Sequence, residues 1–172
     1  LWRREIIVRN GLMYPEKMYN EDSAWLYLVY MYVERIGISQ GVYYNYCMNG
    51  GSQTATARKI ESRYFMQCSA AKWLLDEYVK RGWKDRDPEL VEYVFSCFYF
   101  IDCIYGAVMN FETMPMRQLR EMQRTMKRLY PGFLKNPMVK QYCSDRGRKG
   151  AALCMFSPWL YAHAMRFLHK KK

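Results

Sequence analysis

Residues 20–52 read NEDSAWLYLVYMYVERIGISQGVYYNYCMNGGS, and the remainder of the chain takes its order from them. Two adjacent carboxylates, Glu21 and Asp22, stand where a helix would begin. Asn20 or Asp22 can serve as its N-cap, since a short side-chain acceptor there satisfies a free backbone N–H of the first turn. Negative charge at that end is also favoured by the helix dipole. From Trp25 to Val33 the residues are apolar or aromatic on every side, which predicts burial all round and not a half-solvated face. Arg35 to Ile38 then reads as a short strand and turn, and Gly41 to Tyr46 as a β-rich run. Asn49, Gly50, Gly51 and Ser52 close the stretch as a polar loop. Two adjacent glycines let backbone N–H groups come close to an anion there, although Gly-Gly is also common in ordinary turns.

Upstream, Trp2 to Val8 is a short mixed segment, a strand or the end of a helix, stopped by Asn10-Gly11. Pro15 holds an extended connection into the Glu-Asp pair. Downstream a helical period takes over, with Ala57, Ile60, Tyr64, Cys68, Ala71, Leu75 and Tyr78 on one face and Gly82 ending the run. Asp87 and Pro88 form a cap and first-turn pair for the next helix. Leu90 to Phe111 is strongly apolar, and Tyr93 to Phe111, with Asp102 its one charge, is almost long enough to span a bilayer. A central Asp102 costs about 2.5–3.5 kcal/mol on insertion scales, which favours a buried or interface-packed helix. From Met116 to Tyr130, Met116, Leu119, Met122, Met126 and Leu129 follow one face and Arg117, Arg120, Arg124, Lys127 and Arg128 the other. A short segment at Met138 to Cys143 and a loop carrying Arg146, Arg148 and Lys149 follow. Ser157-Pro158 then opens a last helix.

The 172 residues are enough for one domain with a real core, and 17% of them are aromatic, which excludes a disordered chain. The net charge of +11 is uneven: residues 1–114 balance at −1 and residues 115–172 at +12. That asymmetry points the last third toward an anionic partner, such as a membrane surface or a phosphate-bearing substrate. No helix-turn-helix, RNP or finger pattern frames the charge, so nucleic acid is not expected. The six cysteines form no C-x-x-C pair and read as reduced, mostly buried thiols of a cytoplasmic protein. The chain starts at Leu, without a charged-then-apolar leader, which reads as an internal start with no secretory signal. His163 and His169 read as surface residues.

An ordered set of motifs carries a resemblance. A basic Leu-Trp-Arg-Arg-Glu opening comes first, then Asn10-Gly11-Leu12-Met13-Tyr14-Pro15-Glu16, then Glu21-Asp22-Ser23, then a Tyr-Tyr-x-Tyr run leading to Gly51-Ser52. Together, over about residues 1–60, these resemble the second half of the catalytic domain of family 2 glycosyltransferases, particularly bacterial capsule and exopolysaccharide enzymes. The resemblance implies a mainly α chain with a small β component. Residues 1–60 would be the acceptor-side, C-terminal portion of a GT-A α/β catalytic domain, and residues 61–172 a helical region, basic from about 115.

It implies further that the whole enzyme moves a sugar from a nucleotide-sugar to a polysaccharide or lipid-linked saccharide acceptor at the inner face of the plasma membrane. Asp22 would be the base, Glu21 a supporting carboxylate, and Asn49 to Ser52 would lie near the donor diphosphate. A divalent metal, Mg or Mn, would be held by ligands outside this chain. Asp85-Arg86-Asp87 spells the family's D-x-D, but it follows the Glu-Asp motif instead of preceding it, and Asp87 already has a capping role. The fragment alone is expected to be inactive and to expose a face prone to self-association. Two rivals remain: a helical module binding an anionic partner without catalysis, and a structural scaffold in which Glu21 and Asp22 have no role.

Overall fold

The computed structural model describes residues 2–45, 47 and 61–170, and among these the chain is mainly helical, with no strand. Helices α1 (Arg4–Arg9) and α2 (Glu21–Tyr30) come first. A short α3 (Glu61–Tyr64) leads into α4 (Met66–Lys80) and the single turn α5 (Trp83–Arg86). The long helix α6 (Pro88–Met109) follows, then α7 (Met116–Leu129). After a 3-10 turn at Phe133–Lys135 come α8 (Pro137–Tyr142), α9 (Asp145–Phe156) and α10 (Pro158–Lys170).

Helix α6 is the axis. By length and composition it could cross a membrane, yet most of it is enclosed by α4, α7 and α9, as the core helix of this fold. Val91, Phe95, Phe98, Phe100, Ile104 and Val108 are all buried along it. Its middle turn, Ser96–Ile101, is π-helical, so the regular i to i−4 ladder is interrupted there. Carbonyls in and just after this turn take side-chain donors from neighbouring helices. Gln67 Nε2 donates to Phe98 O at 2.9 Å, the Cys68 thiol to Tyr99 O at 4.0 Å, and the Tyr64 hydroxyl to Cys103 O at 2.7 Å. The irregular turn and the polar residues of α3 and α4 therefore fit one another.

Helix α2 packs on α4, burying Ala24, Trp25, Leu28 and Val29, and the Tyr78 hydroxyl donates to Tyr27 O at 3.0 Å. One apolar core runs from Leu12 through these helices to Ala162. The capping signals read at Asp87 and Ser157 are in place: Leu90 N–H donates to Asp87 Oδ1 at 3.0 Å, and Leu160 N–H to the Ser157 hydroxyl at 3.2 Å.

Several expectations need correction. The β component over Arg35–Ile38 and Gly41–Tyr46 does not form among the described residues, so the structure fits the mainly α part of the expectation and not a GT-A α/β domain. A strand requires a ladder partner, and among the described residues this run shows local side-chain bonds instead: the Tyr43 hydroxyl donates to Gln40 O and shares a hydrogen bond with the Ser39 hydroxyl. Ile38, Val42, Tyr43 and Tyr44 stand exposed along it. Trp2–Val8 resolves as the helix α1. At α2, Asn20 occupies the residue before the helix in a left-handed conformation, φ 61°, and neither it nor Asp22 makes the expected cap bond. Asp22 Oδ1 instead takes the N–H of Ser23, the next residue, at 2.7 Å.

The segment with Arg146, Arg148 and Lys149, read as a loop, is helix α9. Ser144 caps it through the Gly147 N–H at 3.1 Å. Its glycines are close-packing positions: a Cβ on Gly147 would meet Ile101 Cγ2 at 3.3 Å, and one on Gly150 would meet Tyr161 at 3.3 Å. Finally, the Met and Leu face of α7 is in the core, with Leu119, Met122 and Met126 buried, so its apolar side is not available to a membrane.

Candidate functional site

Glu21 and Asp22 open α2 at the surface, with Asp22 exposed and Glu21 half-buried. Trp25 lies one turn on, four residues from Glu21 and three from Asp22. Residues three and four apart on a helix share a face, so Trp25 shares the side of α2 that carries both carboxylates. The indole is fixed by its N–H, which donates to Leu12 O at 3.0 Å. Tyr14 stacks on it with ring centroids 4.5 Å apart and planes 11° from parallel. Trp25 is buried, whereas Tyr14 is about half exposed and leaves ring surface open to solvent. Trp2 meets Trp25 edge-on at 6.2 Å and Tyr30 at 5.7 Å, which continues the aromatic row along the helix.

Arg81 at the end of α4 holds the approach to this site. Its guanidinium donates to Asn10 O at 2.7 Å, to Gly11 O at 3.1 Å and to the Tyr32 hydroxyl at 3.3 Å, and its Nε to Glu77 at 2.8 Å. Burial would lower the Arg81 pKa, but these partners outweigh it and hold the group more firmly charged. Burial would likewise raise Glu77, and its bonds with Arg81 and the nearby Lys80 overcome this and lower it. The backbone at residues 10–12, and with it the carbonyl that fixes Trp25, is therefore tied to the core by a charge-assisted clamp.

A cleft of about 1160 Å³ lies beside the site, not on it. It runs between α1 and residues 30–37 and is lined by Trp2, Arg3, Arg9, Tyr30, Glu34 and Arg35 among others. Neither Glu21 nor Asp22 lines it. Aromatic residues shared through Trp2 join the two regions. The loop Asn49, Gly50, Gly51 and Ser52 falls outside the described residues. The sequence reading picked out Glu21 and Asp22 but missed Tyr14, Trp25 and Arg81. The i+3 and i+4 spacing of Trp25 was a usable signal; the contact from Arg81, some 70 positions away, had none.

Among the described residues no group of three or more His, Cys, Asp or Glu side chains converges. Asp87, half of the D-x-D, spends an oxygen on capping α6. No family model, curated protein or solved structure matches the chain.

Proposed function

We propose that this chain is the acceptor-side, C-terminal part of a GT-A type glycosyltransferase of the polysaccharide-building kind. The observation that carries the reading is the pairing of an accessible carboxylate couple, Glu21 and Asp22, with the Tyr14–Trp25 stack one turn away. An aromatic face offers apolar surface to the C–H side of a pyranose while carboxylates take its hydroxyls, a small polar set beside an apolar platform. In the transfer, the acceptor hydroxyl oxygen forms the new bond to the anomeric carbon as the bond to the donor diphosphate breaks. The acceptor proton passes to the Asp22 carboxylate, and Glu21 holds a neighbouring hydroxyl. Nucleotide and any metal would be bound by other residues of the enzyme, and no step here is assigned to them.

The test is saturation-transfer NMR of this chain with neutral hexose disaccharides. Transfer to the sugar that is lost in Tyr14→Ala, with the fold retained, is the expected result. Transfer unaffected by that change would remove the aromatic platform from the site.

A second reading, a helical module for an anionic partner, is favoured by one observation. Arg117, Arg120, Arg124, Lys127 and Arg128 are all exposed on α7, and none enters an ion pair among the described residues.

A further inference from the structure

With the apolar side of α7 buried, the apolar surface of the basic third lies elsewhere. Helix α10 buries Tyr161 and Ala162 and turns Trp159, Leu160 and Leu168 outward, with Phe167 also exposed. Phe156, at the end of α9 and 80% exposed, extends this surface past the Ser157 break. Trp159, His163 and Phe167 recur at four-residue steps and Leu160 and Leu168 at eight, so the exposed residues form one broad face. The His163 ring lies against the Trp159 indole at 4.1 Å, and its Nδ1 contacts Trp159 O at 2.8 Å. A contiguous apolar face of this size, rich in aromatic residues, marks an interaction surface.

Charge identifies the occupant. No acidic residue follows Asp145 in the chain, and Asp145 itself pairs with Arg148. The basic side of α7 borders the same corner. Gln123 donates to the carbonyl of Met155, the residue before Phe156, at 2.7 Å, and Arg120, Arg124 and Lys127 lie within about one turn of Gln123. Of the nearby carboxylates, Glu121 on α7 pairs with Lys72, and Glu112 lies where Arg166 of α10 reaches its carbonyl. An aromatic apolar face bordered mainly by basic side chains matches an anionic bilayer, whose headgroups take the charges and whose acyl boundary takes Trp and Phe. We infer that α10, with Phe156, is an interfacial membrane-docking helix, lying in the plane of an anionic leaflet with the arginines of α7 at its border. This surface is independent of the glycosyltransferase reading.

The experiment uses the 172-residue chain with vesicles of phosphatidylcholine alone or containing phosphatidylglycerol, at low and high salt. Far-UV circular dichroism confirms that each variant is folded. Wild type should sediment with the anionic vesicles and at least roughly tenfold less with neutral ones. Phe156→Ser with Trp159→Ser should weaken anionic-vesicle binding by roughly tenfold or more, since two interfacial aromatic anchors are lost. Arg124→Gln with Lys127→Gln should weaken binding at low salt and have little further effect at high salt. With brominated acyl chains, tryptophan quenching should fall in Trp159→Phe while that conservative variant still binds. Undiminished binding of the serine variant, or quenching unchanged in Trp159→Phe, would overturn the inference. So would a vesicle-free dimer that the serine variant converts to monomer, because the face would then belong to a second copy.

Discussion

Asp87 accepts a hydrogen bond from the Leu90 N–H, and Asn136 accepts two, from Met138 and Val139, while its amide donates to Glu89 O and Glu92. The first was readable from Asp-Pro at a helix start; the second was not, because half of its bonds reach back to α6. If Asp87 serves only as a cap, Asp87→Ala should cost about 0.5–2 kcal/mol of stability, read by urea denaturation. Metal dependence of the intact enzyme should not move, and a shifted metal requirement would show that the D-x-D is a real site. At the same scale, Glu77 makes stability depend on acid. Its folded-state pKa is lowered, so the contribution of the Arg81 clamp is fully present above the ordinary glutamate range and is lost as pH falls through the lowered value. Below about pH 4, wild type should therefore lose stability more steeply than Glu77→Gln, in urea midpoints measured across pH. Parallel acid profiles would mean that the clamp contributes nothing.

Among the elements, helix positions were legible from apolar period, as in α4 and α7, or from an Asp-Pro or Ser-Pro start, as in α6 and α10. Two failures have physical causes. Helix α9 carries glycines that look like loop residues but allow Ile101 and Tyr161 to approach closely. The Tyr-rich run has strand propensity, but propensity alone forms no strand, and none is present at residues 41–45 among the described residues. The π turn of α6 was not legible either, since it depends on donors from α3 and α4. Gly106 belongs to that arrangement. A Cβ there would collide with the Tyr64 hydroxyl that bonds Cys103 O. Gly106→Ala should cost about 1–3 kcal/mol, and Tyr64→Phe should recover part of it, a coupling that a double-mutant cycle in urea measures. A neutral Gly106→Ala would show that Tyr64 moves aside freely.

Across the molecule, the N-terminal elements that carry Tyr14, Glu21, Asp22 and Trp25 are bolted to the helical body through Arg81, Tyr78 and the shared core. The basic third offers α10 and the arginines of α7 as a separate surface. The proposed catalytic carboxylates and the proposed membrane face thus sit on one rigidly cored body, as suits an enzyme whose acceptor is lipid-linked. The Glu-Asp pair was legible as a motif; its aromatic setting came only from the fold. The most direct test of the proposed function is sugar transfer by the full-length glycosyltransferase proposed to contain this chain, with Asp22→Asn. A drop of roughly 10²-fold or more, with nucleotide-sugar affinity nearly unchanged, is the predicted result for loss of a positioned base. Turnover within a few-fold of wild type would contradict the assignment of Asp22 and, with it, the catalytic reading of this site.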